Sequence, residues 1–331
     1  MGKVKTIGIL TSGGDAPGMN AVIRSVVRTS LFSGVKVKGI LRGYAGLLEK
    51  AVIDMDLSCV SGTLQRGGTI LGSARCREFQ EDAGVELGKN NCIEMGLDGL
   101  IVAGGDGSFR GARDLSQKGI PCIGIPCTID HNLGCTDYSI GFDTAVNTVV
   151  EIVDKLRDTS QSHSRCSIVE VMGHNCGKIA LHAGICCGAE AVILPEIPGD
   201  LELDVLGNMQ EALSKGKTHF IIIASEGVTG ERAKDRVMDT QQLACFIQDR
   251  TGVETRATII GHIQRGGSPT ARDRRIGSMM GNYAVKLLEN GAGSRVVVMK
   301  ENKISDYDIV QALEMNKALD PEELRVFNEI R

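Results

Sequence analysis

The sequence predicts an α/β fold of two domains, each with three layers in which a mostly parallel sheet lies between helices. Short runs rich in Ile and Val alternate with amphipathic stretches along the whole chain, which is typical of parallel strands joined by helices. The length of 331 residues suits two domains of roughly 150 residues each. Glycine contributes 42 residues, well above the average share of about 7%, which indicates many tight strand-to-helix turns.

The predicted strands are the short apolar runs at 7–11, 35–41, 99–103, 122–125, 167–171, 191–194, 220–224, 257–260 and 296–299. We expect them to be buried and parallel, because apolar runs without alternation suit strands that are covered on both faces. The predicted helices are the amphipathic stretches at 19–32, 141–159, 204–215, 241–251 and 274–290. Ligands of such folds bind beyond the carboxyl ends of the strands, so the turns there are the expected functional site.

The composition argues against several classes of protein. The net charge of −4 and the aromatic content of 3%, without Trp, disfavour a nucleic-acid-binding protein, which needs basic surfaces or stacking platforms. No apolar run reaches the ~18 residues of a membrane helix, and no signal peptide is visible. The 11 cysteines form no CxxC motif, so we expect reduced thiols in a cytoplasmic protein and no zinc site.

Two glycine-rich turns follow predicted strands and open predicted helices. Residues 11–20 read TSGGDAPGMN, and residues 102–108 read VAGGDGS. Backbone N–H groups in such turns, together with a helix N-terminus, can bind phosphate. Asp106 lies in the second turn, where a carboxylate can hold a metal ion that bridges phosphates. The alternatives are a plain glycine turn with Asp15 as a helix cap in the first turn, and an Asp cap in the second.

A third glycine-rich stretch, residues 66–75, reads RGGTILGSAR and has no clear periodicity. An arginine carried by such a loop suits a polyphosphate, because its guanidinium can donate two parallel hydrogen bonds. The alternative is a mobile, solvated surface loop.

Residues 125–132, IPCTIDHN, follow another predicted strand. Asp130 is suited to accept a hydroxyl proton, and Thr128 offers a hydroxyl to an oxyanion. The alternative is an ordinary Asx turn, and we expect His131 to lie on the surface.

Residues 255–269, TRATIIGHIQRGGSP, place Arg256, His262 and Arg265 around the end of one predicted strand. Two guanidiniums and an imidazole suit a dianion such as a sugar phosphate. The alternative is a surface turn held by salt bridges.

These five motifs, in their order along the chain, resemble ATP-dependent 6-phosphofructokinases of the bacterial type. The resemblance runs from residue 7 to about residue 299. It implies a phosphofructokinase-like fold and transfer of the γ-phosphate of ATP to the 1-hydroxyl of fructose 6-phosphate in glycolysis. Mg²⁺ is the implied cofactor, and ATP is the co-substrate. We expect a first, ATP-binding domain at 1–141 plus about 256–304, and a second, sugar-phosphate-binding domain at 142–255 plus about 305–331.

The resemblance also implies roles for individual residues. Asp130 is the expected general base, with Thr128 and Arg75 also in catalytic positions, and Asp106 holds the metal. The implied ATP site consists of Gly14, Tyr44, Arg75, Cys76, Gly105, Asp106, Gly107, Ser108 and Gly111. The implied fructose 6-phosphate site consists of Thr128, Asp130, Arg165, Met172, Gly173, His174, Glu226, Arg256, His262 and Arg265.

Further partners follow from the same resemblance. In the family, the residues that match Arg165 and Arg256 reach in from a neighbouring subunit, which implies a homotetramer. An effector pocket for ADP or phosphoenolpyruvate is expected between subunits, and Leu57 stands where the family commonly has Arg. The matching effector residues are Arg24, Arg28, Arg157, Glu190, Lys215 and Lys217.

The chain also departs from the family pattern. Pyrophosphate-dependent relatives carry Asp at the position of Gly107 and Lys at that of Cys127, so the chain resembles the ATP branch. Cys76 replaces a common aromatic, Asn132 replaces an acidic residue, and His174 replaces an arginine. We hypothesise that Asn132 and His174 are compensating changes that slow the enzyme. A catalytically weak regulatory or nucleotide-sensing paralogue, and an altered donor or acceptor that includes pyrophosphate, remain alternatives.

Overall fold

The computed structural model describes residues 4–197, 205–230, 238–316 and 318–331. The strands in this part of the chain are β1 Thr6–Thr11, β2 Lys36–Ile40, β3 Val52–Met55, β4 Gly99–Gly104, β5 Cys122–Pro126, β6 Cys166–Val171, β7 Ala191–Ile193, β8 Phe220–Ser225, β9 Thr255–Ile259, β10 Arg295–Lys300 and β11 Lys303–Asp308. The helices are α1 Met19–Phe32, α2 Gly43–Glu49, α3 Asp82–Glu94, α4 Asp106–Gln117, α5 Phe142–His163, α6 Lys178–Cys187, α7 Asn208–Ser214, α8 Glu226–Thr229, α9 Thr240–Thr251, α10 Ala271–Glu289, α11 Ile309–Glu314 and α12 Pro321–Ile330.

The chain divides into two compact units. The first contains Met1–Thr144 and Arg265–Lys317, and the second contains Ala145–Gln264 and Ala318–Arg331. In the first unit, the described strands form a seven-stranded sheet in the order β11-β10-β5-β4-β1-β2-β3. Its central pairs are parallel, and β3 and β11 add antiparallel edges. In the described part of the second unit, the strands form a four-stranded parallel sheet in the order β7-β8-β6-β9.

This architecture confirms the predicted α/β class with mostly parallel sheets. The central strands β1, β4 and β5 are almost completely buried, because both faces of a parallel sheet are covered by helices. Residues that alternate along β1 and β4 pack into cores on opposite faces, since successive side chains of a strand point to opposite sides. One of these cores, against α2, α3 and α4, contains Leu10, Leu100, Val102 and Phe109.

The domain boundaries in the structure differ from those expected from the sequence. β9 pairs with β6 in the second sheet, although the sequence places residues from about 256 to 304 in the first domain. β11 pairs with β10 in the first sheet, although residues from about 305 onward were assigned to the second domain. Strand pairing, which decides the unit of each segment, joins residues far apart in the chain and leaves no local signal.

Some element predictions also need correction. β3 and β11 were not predicted, because edge strands face solvent and carry polar residues such as those of KISDYD in β11. β9 is parallel as expected, but it is an edge strand and only Thr255 in it is buried. The helix predicted at 204–215 appears as α7 at Asn208–Ser214, and residue 204 lies outside the described residues. No helix in the described ranges combines the length and the apolar character that crossing a membrane requires.

Candidate active site

Three of the predicted turns meet in the first unit because β1, β4 and β5 are neighbours in its sheet. The backbone N–H of Ser12, after β1, donates to the carbonyl of Ala103 at 3.0 Å. The N–H of Cys127, after β5, donates to the carbonyl of Gly104 at 2.9 Å. Parallel strands end at the same edge of a sheet, so the turns 11–20, 102–108 and 125–132 form one continuous surface there.

The glycines of the turn after β4 have different physical roles. A side chain on Gly104 would overlap the Ser108 hydroxyl and the Ser12 carbonyl, so this glycine allows the two turns to pack closely. A Cβ on Gly105 would meet the Thr128 Cβ at 3.5 Å, whereas a Cβ on Gly107 would meet nothing within 4 Å. The space above Gly107 is therefore open to a ligand that approaches the N-terminus of α4.

Asp106 is the first residue of α4, and its carboxylate pairs with Arg110. The Arg110 Nε lies 2.9 Å from Oδ2, and Nη2 lies 3.3 Å from Oδ1. The Asp106 side chain is 43% exposed, so its oxygens also face solvent. Among the described residues, no group of three or more His, Cys, Asp or Glu side chains could hold a metal ion. A single exposed carboxylate suits Mg²⁺ that is bound together with nucleotide phosphates, because Mg²⁺ is commonly coordinated by one or two carboxylates plus phosphate oxygens.

Thr128 and Asp130 form a compact turn after β5. The Asp130 backbone N–H donates to the Thr128 Oγ1 at 3.2 Å, so the hydroxyl predicted to face an oxyanion also shapes the turn. Thr128 is buried and Asp130 is partly buried. A carboxylate at the end of a central parallel strand, beside two glycine turns, has the location expected of a general base.

The expectation that His131 lies on the surface is wrong. Its side chain is buried, its Nδ1 is 3.1 Å from the Ser139 Oγ, and its ring stacks on Phe142 with centroids 4.4 Å apart. Both contacts come from residues 139–142, which end with the first residue of α5. This segment lies beside the turn because Cys127 and Ile140 form an isolated parallel β-bridge.

Asp273 is a buried carboxylate that the sequence reasoning missed. Oδ1 accepts from the Tyr138 hydroxyl at 2.6 Å and the Gly141 N–H at 2.7 Å, and Oδ2 accepts from the Thr144 N–H at 3.0 Å and hydroxyl at 2.5 Å. Burial raises the pKa of the Asp273 carboxyl, and these donors oppose that shift. In the sequence it stood just before the helix predicted at 274–290, and no local pattern marked it as an anchor.

The loop at 66–75 is fastened to the first unit by several hydrogen bonds. The Thr11 hydroxyl contacts the Thr69 hydroxyl at 2.8 Å and donates to the Gly72 carbonyl at 2.9 Å. The Asn20 side chain donates to the Arg66 carbonyl at 3.0 Å and accepts from the Ile70 N–H at 2.8 Å. The loop thus packs against the turn after β1, while Arg75 stays exposed.

Tyr44 and Gly111, which the resemblance placed in the ATP site, contact each other inside the protein. Tyr44 is 5% exposed, its ring stacks on Phe79 with centroids 4.1 Å apart, and its hydroxyl donates to the Ser108 carbonyl at 2.7 Å. A Cβ on Gly111 would meet this ring at 2.8 Å. Tyr44 therefore holds the Ser108 turn from its buried side, and Gly111 leaves room for the Tyr44 ring. Cys76 is partly buried and packs on the same core.

The fifth motif is divided between the two units. Arg256 and His262 belong to the second unit, and both are exposed. Arg265 begins the return to the first unit, where its Nη1 donates to the Asp15 carbonyl at 3.1 Å. Its guanidinium lies directly over Gly14, so this predicted sugar-phosphate residue contacts the turn predicted to bind ATP.

In the second unit, Glu226 and Gln264 hold the turn after β6. The Glu226 Oε1 accepts from the N–H of Gly173 at 3.1 Å and of His174 at 2.8 Å. The Gln264 Oε1 accepts from the Met172 N–H at 3.2 Å, and Gln264 is completely buried. The sequence reasoning missed Gln264, although it lies between His262 and Arg265 in the fifth motif.

Glu254 pairs with two of the predicted sugar-phosphate arginines. Its carboxylate lies 2.9 Å from the Arg165 Nε and 2.5 Å from an Arg256 Nη. These ion pairs lower the pKa of Glu254, with the hydrogen bond from Arg165 as the largest cause. The alternative considered for the fifth motif, a surface turn held by salt bridges, therefore applies to Arg256. Its acidic partner, Glu254, lies just before the motif.

Four of the six residues predicted for the effector pocket have partners within the second unit. Glu190 is buried, pairs with Lys217 and accepts from the Ile221 N–H at 2.6 Å. Lys215 pairs with Glu211, and Arg157 donates to the Cys187 carbonyl. Arg24 and Arg28 lie on α1 in the first unit, where Arg28, Phe32 and Leu57 line a cavity of about 540 Å³.

The phosphofructokinase family model matches residues 6–288. The chain is 50% identical over 317 residues to a Lysinibacillus sphaericus protein named ATP-dependent 6-phosphofructokinase, with 96% of each chain covered. It is 51% identical over 319 residues to a Clostridium botulinum protein of the same name, with 96% of this chain and 97% of the relative covered. The structure of Pichia pastoris phosphofructokinase in the T-state matches with a TM-score of 0.88 at 34% identity. That match covers 100% of this chain but 39% of the Pichia chain.

Proposed function

This chain belongs to the phosphofructokinase family, and from that premise we propose that it transfers the γ-phosphoryl group of ATP to the 1-hydroxyl of fructose 6-phosphate. The products are fructose 1,6-bisphosphate and ADP, and the reaction belongs to glycolysis. The observation that carries the proposal is the convergence of two glycine turns and the Asp130 turn at the ends of β1, β4 and β5. Such a surface suits polyphosphate binding beside a base.

The reaction needs a base, a phosphate-binding surface and positive charge. Asp130 takes the proton of the sugar hydroxyl as the hydroxyl oxygen bonds to the γ-phosphorus and the bond to the β-phosphate oxygen breaks. The turns at 11–20 and 102–108 hold the nucleotide phosphates with backbone N–H groups. Arg75, exposed beside them, offers charge to the transferring group. Positioning and electrostatic stabilisation supply most of the rate enhancement in such reactions.

Mg²⁺ is the cofactor, and Asp106 is the residue that would hold it. When bound with ATP, the ion neutralises charge on the phosphates as the transfer proceeds. Arg110 pairs with the Asp106 carboxylate in the structure, with its Nε 2.9 Å from Oδ2. Gly105, Gly107 and Ser108 complete the phosphate-binding turn beside it.

The second unit supplies the residues that bind fructose 6-phosphate. Arg165, Arg256 and His262 carry the charge for its phosphate, and Met172, Gly173, His174 and Glu226 bind the sugar. We assign a homotetramer in which neighbouring subunits complete the sugar-phosphate and effector sites, as the family resemblance implies. The cytoplasm is the proposed location, because 11 cysteines without a CxxC motif are typical of thiols kept in a reducing compartment.

The test is a coupled assay of the purified chain with fructose 6-phosphate and Mg-ATP, with and without ADP and phosphoenolpyruvate. We expect turnover with ATP and none with pyrophosphate, because Gly107 leaves space that a nucleotide donor uses. Asp130→Asn should lower kcat by about 10²–10⁴. No turnover with either donor, together with tight ADP binding, would instead identify a nucleotide-sensing paralogue.

A further inference from the structure

The residue that follows Asp130 has an unusual backbone. His131 has a φ of 53°, in the left-handed region that residues with a Cβ rarely adopt. Its side chain is 6% exposed. A left-handed backbone at such a residue persists only where its surroundings hold it, and such residues concentrate at functional sites.

Two contacts hold the His131 ring. Its Nδ1 lies 3.1 Å from the Ser139 Oγ, and its plane stacks at 26° on Phe142 with centroids 4.4 Å apart. The start of the turn is held by the same segment, because the Ile140 N–H donates to the Pro126 carbonyl at 2.9 Å. The turn that contains Asp130 is therefore fastened at both ends to residues 139–142.

That segment has its own anchor in the first unit. Asp273, on α10, accepts from the Tyr138 hydroxyl and the Gly141 N–H. Residues on both sides of Ser139 are thus tied to a long helix. A rigid segment is what a side chain needs if it is to hold another residue in place.

We propose that His131 is a positioning residue for Asp130: its ring, held by Ser139 and Phe142, fixes the left-handed turn that carries the Asp130 carboxylate. The inference deepens the proposed function and rests on it, because it concerns the base of that reaction. The backbone angles of residue 131 determine how the peptide after Asp130 is oriented, and so where the carboxylate stands. Asp130 takes the proton, and His131 acts through it without touching the substrate.

The proposal predicts an effect on kcat and not on nucleotide affinity. Misplacement of a catalytic group by about 1 Å can cost ~10²-fold in rate. The nucleotide turns follow β1 and β4 and are joined to each other by the bond from Ser12 to Ala103. Loss of the His131 contacts should therefore leave the KM for Mg-ATP within about twofold, because binding and chemistry report different interactions.

The experiment compares His131→Ala, Ser139→Ala and the double variant by steady-state kinetics on the full chain. We expect kcat to fall about tenfold or more in His131→Ala and about threefold in Ser139→Ala. The double variant should lie within about twofold of His131→Ala, since both changes remove one shared contact and are not additive. His182→Ala is the matched control, because this histidine pairs with Glu323 in the second unit and should leave kcat unchanged.

Thermal unfolding and calorimetric binding of Mg-ADP establish that each variant is folded. Wild-type kcat in a folded His131→Ala variant would overturn the proposal, and so would independent, multiplicative effects in the double variant. If His131→Ala does not fold, the Ser139→Ala variant tests the proposal. An unchanged kcat in that variant would then overturn it. If the wild-type chain phosphorylates no sugar, the proposed function is wrong. If the wild type is active, Asp130→Asn is impaired and His131→Ala is unaffected, only the role of His131 is wrong.

Discussion

The guanidinium of Arg265 lies directly over Gly14, in the space that any side chain on residue 14 would occupy. The Arg265 Nη1 also donates to the carbonyl of Asp15 at 3.1 Å. A cation from the fifth motif is thereby held against the glycine turn that follows β1. The lack of a side chain at position 14 thus leaves room for the Arg265 guanidinium, in addition to any phosphate that the turn binds.

Gly14→Ala should therefore displace Arg265 without unfolding the protein. The backbone of Gly14 is not left-handed, and a flexible guanidinium can move, so we expect the free energy of unfolding to change by less than about 1 kcal/mol. The KM for fructose 6-phosphate should rise about tenfold, which corresponds to ~1.4 kcal/mol of lost binding. In an Arg265→Ala background the same substitution should have no further effect on this KM. A full tenfold effect in that background would contradict the displacement.

Gly111→Ala should lower stability, because its Cβ would meet the Tyr44 ring at 2.8 Å. That ring is stacked on Phe79 and buried, so it cannot move aside cheaply. We expect a loss of about 1–3 kcal/mol in the free energy of unfolding, as for other overpacked cores. Urea denaturation measures it, and Gly107→Ala in the same helix is the matched control, since nothing lies within 4 Å of that Cβ. Equal free energies of unfolding for Gly111→Ala and Gly107→Ala would contradict this prediction.

Asp273→Asn should destabilise the first unit by about 1–3 kcal/mol near neutral pH, because an amide cannot accept all the hydrogen bonds that the carboxylate accepts. The cost should depend on pH. Burial raises the pKa of Asp273 in the folded state, so the folded protein binds its proton more tightly than the unfolded chain does. The pH-dependent part of the stability from this group is complete below the unfolded pKa and is lost as the pH rises through the folded pKa.

The difference in unfolding free energy between wild type and Asp273→Asn should accordingly shrink as the pH rises through that window, since the amide does not titrate. Denaturant titrations at several pH values above 4 measure this difference. A difference that grows with pH would mean that the four hydrogen-bond donors outweigh burial, and the direction of the shift would then be wrong.

The sequence predicted the central strands because complete burial leaves a strong apolar signal. β1, β4 and β5 were each found within about one residue of their observed ends. β3 and β11 were missed because an edge strand faces solvent and carries polar residues. The glycine turns were equally visible, since the residue type that permits a tight turn is itself the signal.

The contacts that hold the site together had no comparable signal. His131 looked like a solvated turn residue, and its burial depends on Phe142 and Ser139, which the fold brings beside it. Gln264 and Asp273 act through backbone N–H groups of distant segments. Such partners become neighbours only when strands and helices have packed, so residue type alone could not identify them.

The departures at Asn132 and His174 provide the remaining test of the site. Both side chains are exposed, and His174 has a left-handed φ of 55°, with its N–H held by Glu226 at 2.8 Å. If these residues replaced an acid and a permanent cation near the transferring group, restoring both charges by Asn132→Asp with His174→Arg should raise kcat. Loss of one electrostatic contact typically costs about 10²–10³ in rate, so a gain of at least tenfold is expected. Each single substitution should gain less than the double, because a charge restored alone lacks its compensating partner. Steady-state kcat of the four proteins decides the matter, and equal turnover in wild type and double variant would refute the compensation.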